Sequence, residues 1–267
     1  MESRDLGGLA AVLEGGTAYG APLVLLHGLT FDQAMWWPVL AELRRARAGG
    51  PVLALDLPGH GGSPAWPSYG LDGVAAAVHD AVAEAGLPAP VVVGHSMAAV
   101  LATVYAAAYP AAGVVNVDQP LWMEPAAAFA RSLEGEIRGG GFATAWARVE
   151  AGMHMEALPA QARELLRANR HPRQDLVAGY WRELFDTPVP ELAGNLAAAL
   201  GAVREKGIPY LFVSGHEVDP AYRRWLDRAL PDARTEVWPG GGHFPQLADP
   251  GRFAGRLAAI AGWGDPA

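Results

Sequence analysis

The ten residues Val91-Val-Val-Gly-His-Ser-Met-Ala-Ala-Val100 decide the fold of this chain. Three β-branched residues at 91–93 predict the end of a buried strand, and the run that begins at Met97 contains helix formers as far as Tyr109. A sharp turn between them would hold the Ser96 hydroxyl at the carboxyl edge of a sheet, with the Met97 N–H aimed at the oxygen under attack. The alternative is that Ser96 only caps the helix. The short pattern alone leaves both interpretations open.

Strand and helix patterns alternate on both sides of this stretch. The strand patterns lie at residues 9–13, 22–27, 51–56, 91–95, 113–118, 209–215 and 234–238. The helical patterns between and after them lie at residues 32–47, 71–85, 97–109, 219–230 and 247–261. Strands that alternate with helices at this spacing predict right-handed βαβ units. The predicted fold class is therefore α/β, with a mostly parallel central sheet flanked by helices.

One long segment interrupts the alternation. From Gln119 to Ile208 the sequence has helical patterns and no convincing strand. The patterns cover residues 125–133, 142–153, 159–168, 174–185 and 191–203. A helical block between two sheet strands predicts an inserted all-helical cap at residues 119–208. The core domain would then consist of residues 1–118 and 209–267.

Aromatic residues of the predicted cap, together with histidines of the core loops, are candidates for the wall of a binding cavity. The loops around Ser96 bring in the core histidines, and the helices above them bring in the aromatic rings. Six residues are the expected substrate contacts: His27, His95, Trp122, Trp146, Tyr180 and Trp181.

Composition excludes several classes of protein. Of 267 residues, 51% are hydrophobic, which allows one large domain with a sizeable core and excludes disorder. The formal net charge of −8 argues against nucleic acid as a partner, because phosphate binding needs a basic surface. The absence of cysteine excludes disulfides, thiolate metal sites and a cysteine nucleophile.

Neither a membrane nor a cofactor is expected as a partner. The uncharged run at residues 85–117 is long enough to suggest a membrane span, but prolines and glycines divide it into buried strands, turns and a helix. The charged start of the chain leads into no apolar signal segment, so we expect a cytoplasmic protein, either a monomer or a homodimer. The histidines show no paired metal-ligand spacing, and the glycine-rich loop at 57–63 lacks the lysine of a phosphate-binding loop. We therefore predict no metal and no cofactor.

Four motifs at the boundaries of predicted elements resemble those of the α/β-hydrolase family. They are His27-Gly28 after a strand, Asp56-Leu-Pro-Gly-His-Gly-Gly-Ser63, Gly94-His-Ser-Met-Ala98, and Gly242-His-Phe-Pro-Gln-Leu-Ala-Asp-Pro250. Each motif alone is weak, but four in the right order at the right boundaries are strong. One departure is Ala98, where the turn of the family usually has glycine.

The resemblance implies a set of catalytic roles. Ser96 would be the nucleophile and His243 the general base, in the chain order of the family. The backbone N–H groups of Leu29 and Met97 would form the oxyanion hole. A serine at the nucleophile position also argues against the epoxide hydrolases and haloalkane dehalogenases of this fold, which use an aspartate there.

The acid that orients His243 is ambiguous in the sequence. The usual family position, about three residues after Gly215, holds Val218. Asp219 lies next to it but precedes Pro220, which is the layout of a helix N-cap. Some family members, certain lactonases among them, place the acid after the strand that follows the nucleophile helix, where this chain has Asp118. We favour Asp118, with Asp219 and then Glu217 as alternatives.

Three functions are consistent with these residues. The first is a serine hydrolase that cleaves a small hydrophobic carboxylic ester or lactone through an acyl-enzyme. The second keeps the same site but catalyses C–C bond hydrolysis, or a lyase or cyclase step. The third is a hydrolase-like receptor that binds a small molecule and signals through its cap. The sequence does not separate them, since a fold does not fix a function.

Overall fold

The structure is a computed structural model that describes residues 3–15, 20–46 and 50–260. Its strands are β1 (Arg4–Leu6), β2 (Leu9–Glu14), β3 (Leu23–Leu26), β4 (Val52–Leu55), β5 (Val91–His95), β6 (Gly113–Val117), β7 (Tyr210–Ser214) and β8 (Arg234–Val237). They form one sheet in the order β1-β2-β4-β3-β5-β6-β7-β8. β2 pairs antiparallel with both β1 and β4, and all other neighbouring strands are parallel. The predicted mostly parallel α/β fold is confirmed.

Helices cover both faces of the sheet. They are α1 (Trp37–Ala46), α2 (Leu71–Glu84), α3 (Met97–Ala108), α4 (Met123–Arg138), α5 (Phe142–Ala151), α6 (Ala160–Ala168), α7 (Gln174–Tyr180), α8 (Arg182–Asp186), α9 (Val189–Glu205), α10 (Pro220–Ala229), α11 (Pro245–Ala248) and α12 (Pro250–Ile260). Short 3₁₀ helices lie at Gln33–Trp36 and Met155–Ala157. None of the helices in the described part of the chain combines the length and the apolar character needed to cross a bilayer.

The core follows from the two-residue period of the strands. In β5, Val92 packs into one hydrophobic cluster with α2 and α3, whereas Val91 and Val93 pack into another with α1 and α12. Side chains of successive strand residues point to opposite faces, so an unbroken valine run needs apolar cover on both. The strands β5 and β6 of the uncharged run at residues 85–117 are therefore buried, as is most of α3, and exposed residues lie in the turns between these elements.

The segment between β6 and β7 contains helices α4 to α9 and, within the described residues 119–208, no strand. Its last helix, α9, packs along α3 of the core. Lys206 follows α9, and its ammonium group donates hydrogen bonds to the carbonyl oxygens of Ala106 (3.2 Å) and Ala107 (2.6 Å) in the last turn of α3. That these residues form a separate cap domain stays a prediction.

Element boundaries differ from the sequence patterns by several residues at some ends, as in α4, which extends to Arg138, and three further differences concern whole elements. The pattern at 174–185 is two helices separated at Trp181. The last helical pattern breaks at Asp249, because Asp249 precedes Pro250 and a residue before proline avoids helical geometry. The pattern at 9–13 is preceded by β1, which is too short to give a pattern of its own. The predicted helix ends at residues 47 and 261, and both termini of the predicted core domain, lie outside the described residues.

Gly94 is required for the close packing of β5 and α3. A Cβ atom there would lie 2.1 Å from the Ala98 carbonyl oxygen and 2.6 Å from the Ala99 Cα. Close packing in this turn therefore requires a glycine at position 94. At position 98 it accommodates the methyl group of alanine, which is fully buried.

We expect Gly94→Ala to destabilise the protein by about 3 kcal/mol or more, because backbone atoms must move to admit the methyl group. Gly73→Ala is the matched control, since a Cβ on this exposed helical glycine would meet nothing within 4 Å. It should instead stabilise α2 by about 0.5–1 kcal/mol. Urea unfolding of both variants measures the difference. Equal effects of the two substitutions would contradict the packing described here.

Candidate active site

The register of the parallel strands gathers the candidate residues at one edge of the sheet. His95 at the end of β5 is paired with Val117 at the end of β6, so the residues that follow, Ser96 and Asp118, emerge side by side. Open parallel sheets bind ligands at this carboxyl edge.

The backbone at Ser96 is held in the left-handed region, with φ 56° and ψ −134°. The Ser96 N–H donates to the Val117 carbonyl oxygen at 2.9 Å, and helix α3 begins at the next residue. This geometry exposes the side chain at the top of the sharp strand-to-helix turn. No hydrogen bond from the hydroxyl exists within the described residues, so it is available to a bound molecule.

His243 and Asp118 are in direct contact. The Nδ1 of His243 lies 2.8 Å from Oδ2 of Asp118, and 17% of the His243 side chain is exposed. Because Nδ1 carries the proton that is donated to the carboxylate, Nε2 is left with a lone pair. An imidazole in this tautomer can accept a proton from a serine hydroxyl.

The carboxylate of Asp118 is enclosed by donors. Its Oδ1 accepts hydrogen bonds from the Ser214 hydroxyl (2.8 Å) and the Gly215 N–H (2.9 Å). Burial by itself raises the pKa of Asp118, but the hydrogen bonds and the charge of His243 outweigh it, so that the pKa lies below its ordinary value. The carboxyl group of Asp118 is therefore ionised at neutral pH.

The other two acid candidates lie apart from His243. Oδ1 of Asp219 accepts a hydrogen bond from the Ala221 N–H at 2.6 Å and caps α10. Glu217 is exposed in the loop before it. A Cβ on Gly215 would lie 2.0 Å from the Gly242 carbonyl oxygen, so the loop after β7 presses its backbone against the histidine loop. The structure brings Asp118, and neither alternative, to His243.

The loop that contains Leu29 is fixed by two buried histidines. His27 Nδ1 donates to the Gly28 carbonyl oxygen at 2.8 Å, and His60 Nε2 accepts from the Thr30 N–H at 3.1 Å. Burial lowers the pKa of both imidazoles, which favours the neutral forms that these contacts need. Leu29 lies between the two fixed residues. Its N–H and that of Met97, the first residue of α3, are the candidate oxyanion donors.

His95 holds the loop that contains His243. Its Nε2 donates to the carbonyl oxygen of His243 at 2.7 Å, and its ring stacks on Phe244. The other nitrogen, Nδ1, is buried without a hydrogen-bond partner among the described residues. Burial lowers the pKa of His95 to about 3, so its ring is neutral in the folded protein at neutral and mildly acidic pH.

This shift predicts a loss of stability in mild acid. The unfolded chain protonates His95 below about pH 6.5, whereas the folded protein resists protonation down to about pH 3. The free energy of unfolding should therefore fall as the pH drops below 6.5, by about 2 kcal/mol at pH 5 from this residue alone. We expect His95→Gln to lack this component. Urea unfolding at several pH values measures it, and equal slopes for both proteins would contradict the assignment.

A cavity of about 400 Å³ opens above the sheet edge, between the core and the inserted helices. Ser96 and His243 both lie on its wall, together with Gly28 and Leu29. The volume is within the usual range for small-molecule sites. Apolar side chains form most of the remaining wall: Phe31, Leu71, Val100, Met123, Phe129, Trp146, Val149, Met153, Trp181, Leu184 and Leu192.

The structure divides the six expected substrate contacts into two groups. His95, Trp146, Tyr180 and Trp181 line the cavity. His27 does not line the cavity. Its ring is buried, and its nitrogens are hydrogen-bonded to the Gly28 carbonyl and the Leu57 N–H. Trp122 packs against the hydrophobic core instead.

Some cavity residues were not anticipated from the sequence. Phe129, Glu183 and Gln119 line the cavity, and the Met153 carbonyl oxygen accepts from the N–H of His243 at 3.1 Å. In the sequence, Met153 is one apolar residue at the end of a helical pattern, and no local pattern singles out its contact with the histidine. Among the described residues, no group of three or more His, Asp or Glu side chains is arranged to hold a metal ion.

Several known proteins are similar to this chain in sequence. The sequence model of the alpha/beta hydrolase family matches residues 23–256. The pimeloyl-[acyl-carrier protein] methyl ester esterase of Chromobacterium violaceum is 28% identical over 256 residues, which cover 90% of this chain and 93% of that protein. A stretch of 88 residues is 40% identical to the biotin biosynthesis bifunctional protein BioHC of Cellvibrio japonicus, covering 33% of this chain but only 16% of that protein.

Solved structures share the fold at lower identity. A structure of AqDC, described in terms of recognition and ring-cleavage of the Pseudomonas quinolone signal, has a TM-score of 0.79 and 17% identity, covering 98% of this chain and 99% of that one. The enol-lactonase of Burkholderia xenovorans LB400 has a TM-score of 0.65 and 19% identity, covering 97% and 99%. At such identities the likeness establishes the fold alone.

Proposed function

The chain belongs to the alpha/beta hydrolase family and is an enzyme, and on that premise we propose that it cleaves a small hydrophobic carboxylic ester or lactone through an acyl-enzyme on Ser96. The observation that carries the proposal is the hydrogen bond of 2.8 Å between His243 Nδ1 and Asp118 Oδ2. It leaves Nε2 of His243 as a proton acceptor on the wall of the cavity that Ser96 also lines.

The first half of the reaction forms the acyl-enzyme. The Ser96 oxygen attacks the carbonyl carbon of the substrate while His243 Nε2 takes the hydroxyl proton. The N–H groups of Leu29 and Met97 donate to the oxyanion, and removing one such donor costs about 3 kcal/mol in related chemistry. The tetrahedral intermediate then breaks its bond to the alkoxide, which leaves with the proton from the imidazolium of His243.

The second half releases the acid. Water attacks the acyl carbon while His243 removes one of its protons, and the bond to Ser96 breaks as the serine oxygen regains that proton. Asp118 stabilises the imidazolium in both halves and keeps its orientation. With a lactone, the alkoxide and the acid are parts of one product, an hydroxy acid.

The apolar wall supports a hydrophobic substrate. Aromatic residues such as Trp146, Tyr180 and Trp181 favour flat or cyclic groups. An esterase of the same family, 28% identical over most of its length, supports ester chemistry.

Active-site labelling combined with turnover tests this proposal. We expect a fluorophosphonate to add its phosphonyl group to Ser96, as identified by mass spectrometry of the digested protein, and an aryl ester to be hydrolysed with a burst of phenol. Labelling of Ser96 without turnover of esters or lactones would indicate a receptor. Hydrolysis of the aryl ester without an acyl-enzyme on Ser96 would contradict the proposed mechanism.

The control is an exposed serine that is chemically similar but lies away from the cavity. Ser132 lies on α4, and its hydroxyl donates to the Phe129 carbonyl oxygen at 2.7 Å. Ser132→Ala should leave both the labelling and the turnover unchanged. Labelling that is lost in this variant would contradict the assignment of Ser96.

A further inference from the structure

The wall of the cavity contains a single formal negative charge. Glu183, on α8, is half-buried and lines the cavity, and no arginine or lysine is among the described residues that do so. Histidines apart, the remaining wall is neutral. A lone carboxylate on an otherwise apolar wall strongly affects which charged groups can enter.

The protein leaves the hydrogen-bonding capacity of this carboxylate unused. Among the described residues, Glu183 has neither a side-chain hydrogen bond nor an ion pair. Its Oε1 would lie 3.1 Å from a Cβ on Gly70, which places the carboxylate at the start of α2 beside the cavity residue Leu71. An ionised carboxylate is an acceptor only, so its complement is a cation or an N–H or O–H donor.

The arginines around α8 are bonded to groups other than Glu183, and Arg131 donates to the carbonyl oxygens of Leu184 (2.9 Å) and Thr187 (2.5 Å). Arg182 donates to the Ser68 hydroxyl at 2.7 Å. Arg138 pairs with Glu134 at 2.9 Å and with Asp186. The neighbouring acid Asp186 is thus neutralised, whereas Glu183 is not.

Aromatic rings accompany the carboxylate. The ring of Trp181 lies 6.1 Å from that of Trp146 and 6.4 Å from that of Phe129, measured between centroids, and all three line the cavity with Glu183. The faces of such rings attract cations, and alkylated ammonium groups in particular. An apolar aromatic wall that also carries a carboxylate suits a positively charged nitrogen with an apolar surround.

We propose that Glu183 is a specificity-determining residue, which selects substrates carrying a cationic nitrogen and rejects anionic substrates of the same size. The inference rests on the proposed function, since it names the class of ester or lactone for that site. Three features carry it: the unpartnered carboxylate, the absence of an opposing cation on the described wall, and the aromatic rings on the same wall.

The test uses three aryl esters of equal size, with a tail that ends in trimethylammonium, tert-butyl or carboxylate. The tail is placed once on the acyl part and once on the aryl part. We expect the wild-type kcat/KM to be about tenfold higher for the trimethylammonium ester than for the tert-butyl ester, and at least about tenfold lower for the carboxylate. Glu183→Gln should remove most of both differences between the tails.

Glu191→Gln is the matched control, because it removes the same charge from an exposed position on α9. It should leave all three rates unchanged. If Glu183→Gln and Glu191→Gln behave alike while the neutral ester is turned over, the inference is wrong and the proposed function stands. If no ester is turned over, the proposed function fails, and calorimetric binding of ketone analogues with the same tails decides the inference. Tail-independent affinity in that measurement would overturn it.

Discussion

Ser96→Ala is expected to lower kcat for ester hydrolysis by at least about 10⁴-fold, because the substitution removes the only atom that can form the acyl-enzyme in the proposed mechanism. Steady-state turnover of an aryl ester measures it. The side chain is half-exposed and makes no hydrogen bond within the described residues, so the free energy of unfolding should change by less than about 1 kcal/mol.

Two results would contradict this prediction. A variant that kept more than a few per cent of wild-type kcat would show that Ser96 is not the nucleophile. A large fall in melting temperature would show that the serine is structural, in the manner of a helix cap. Binding of a non-hydrolysable ketone analogue should be retained, which separates loss of chemistry from loss of the cavity.

Asp118→Asn is expected to lower kcat by about 10⁴-fold, on the order of 5.5 kcal/mol of transition-state stabilisation. The amide can still accept the hydrogen bonds of Ser214 and Gly215 through its oxygen. Its NH₂ group would then face Nδ1 of His243, and the proton of the imidazole would move to Nε2. In that tautomer the ring cannot accept the serine proton.

Stability should change little in this variant. Asp118 has φ 56°, and asparagine tolerates the left-handed region as readily as aspartate. Asp219→Asn is the matched control, because asparagine also caps helices well, and its kcat should stay within about twofold of wild type. An inactive Asp219→Asn beside a nearly normal Asp118→Asn would overturn the arrangement described here.

The fold could be predicted from the sequence because its main signals are local. Runs such as the valines of β5 are buried on both faces of the sheet, and glycines and prolines mark the turns between elements. The breaks at Trp181 and Asp249 were missed for a different reason. In each case helical patterns continue through a junction, and the geometry of one or two residues decides the break.

The candidate site divides in the same way. Ser96 and His243 stand in local motifs, so the sequence identifies them as candidates. The choice among the three acids depends on how the loop after β7 meets the histidine loop, where Gly215 contacts Gly242. No short pattern encodes that contact, because the residues belong to different loops.

The lining of the cavity was the least predictable part of the site. Trp122 and Trp146 look alike as isolated aromatic residues in a helical segment, yet Trp146 is buried and lines the cavity, whereas Trp122 is partly buried against the core and does not line it. No sequence pattern indicates that Glu183 lines the cavity, since a single glutamate on a short amphipathic helix ordinarily faces solvent. Which side of a helix meets a cavity is fixed by tertiary packing rather than by composition.

The contact between Lys206 and the end of α3 has a practical consequence. Lys206 is the only lysine in the sequence, and it lies at the far end of the helix that begins beside Ser96. Twelve helical residues separate the two ends by about 18 Å. A dye or surface coupled at this side chain, with the α-amino group blocked, would therefore be attached at the end of α3 away from Ser96. Immobilised in this way, the enzyme would present its cavity to the solution in a uniform orientation.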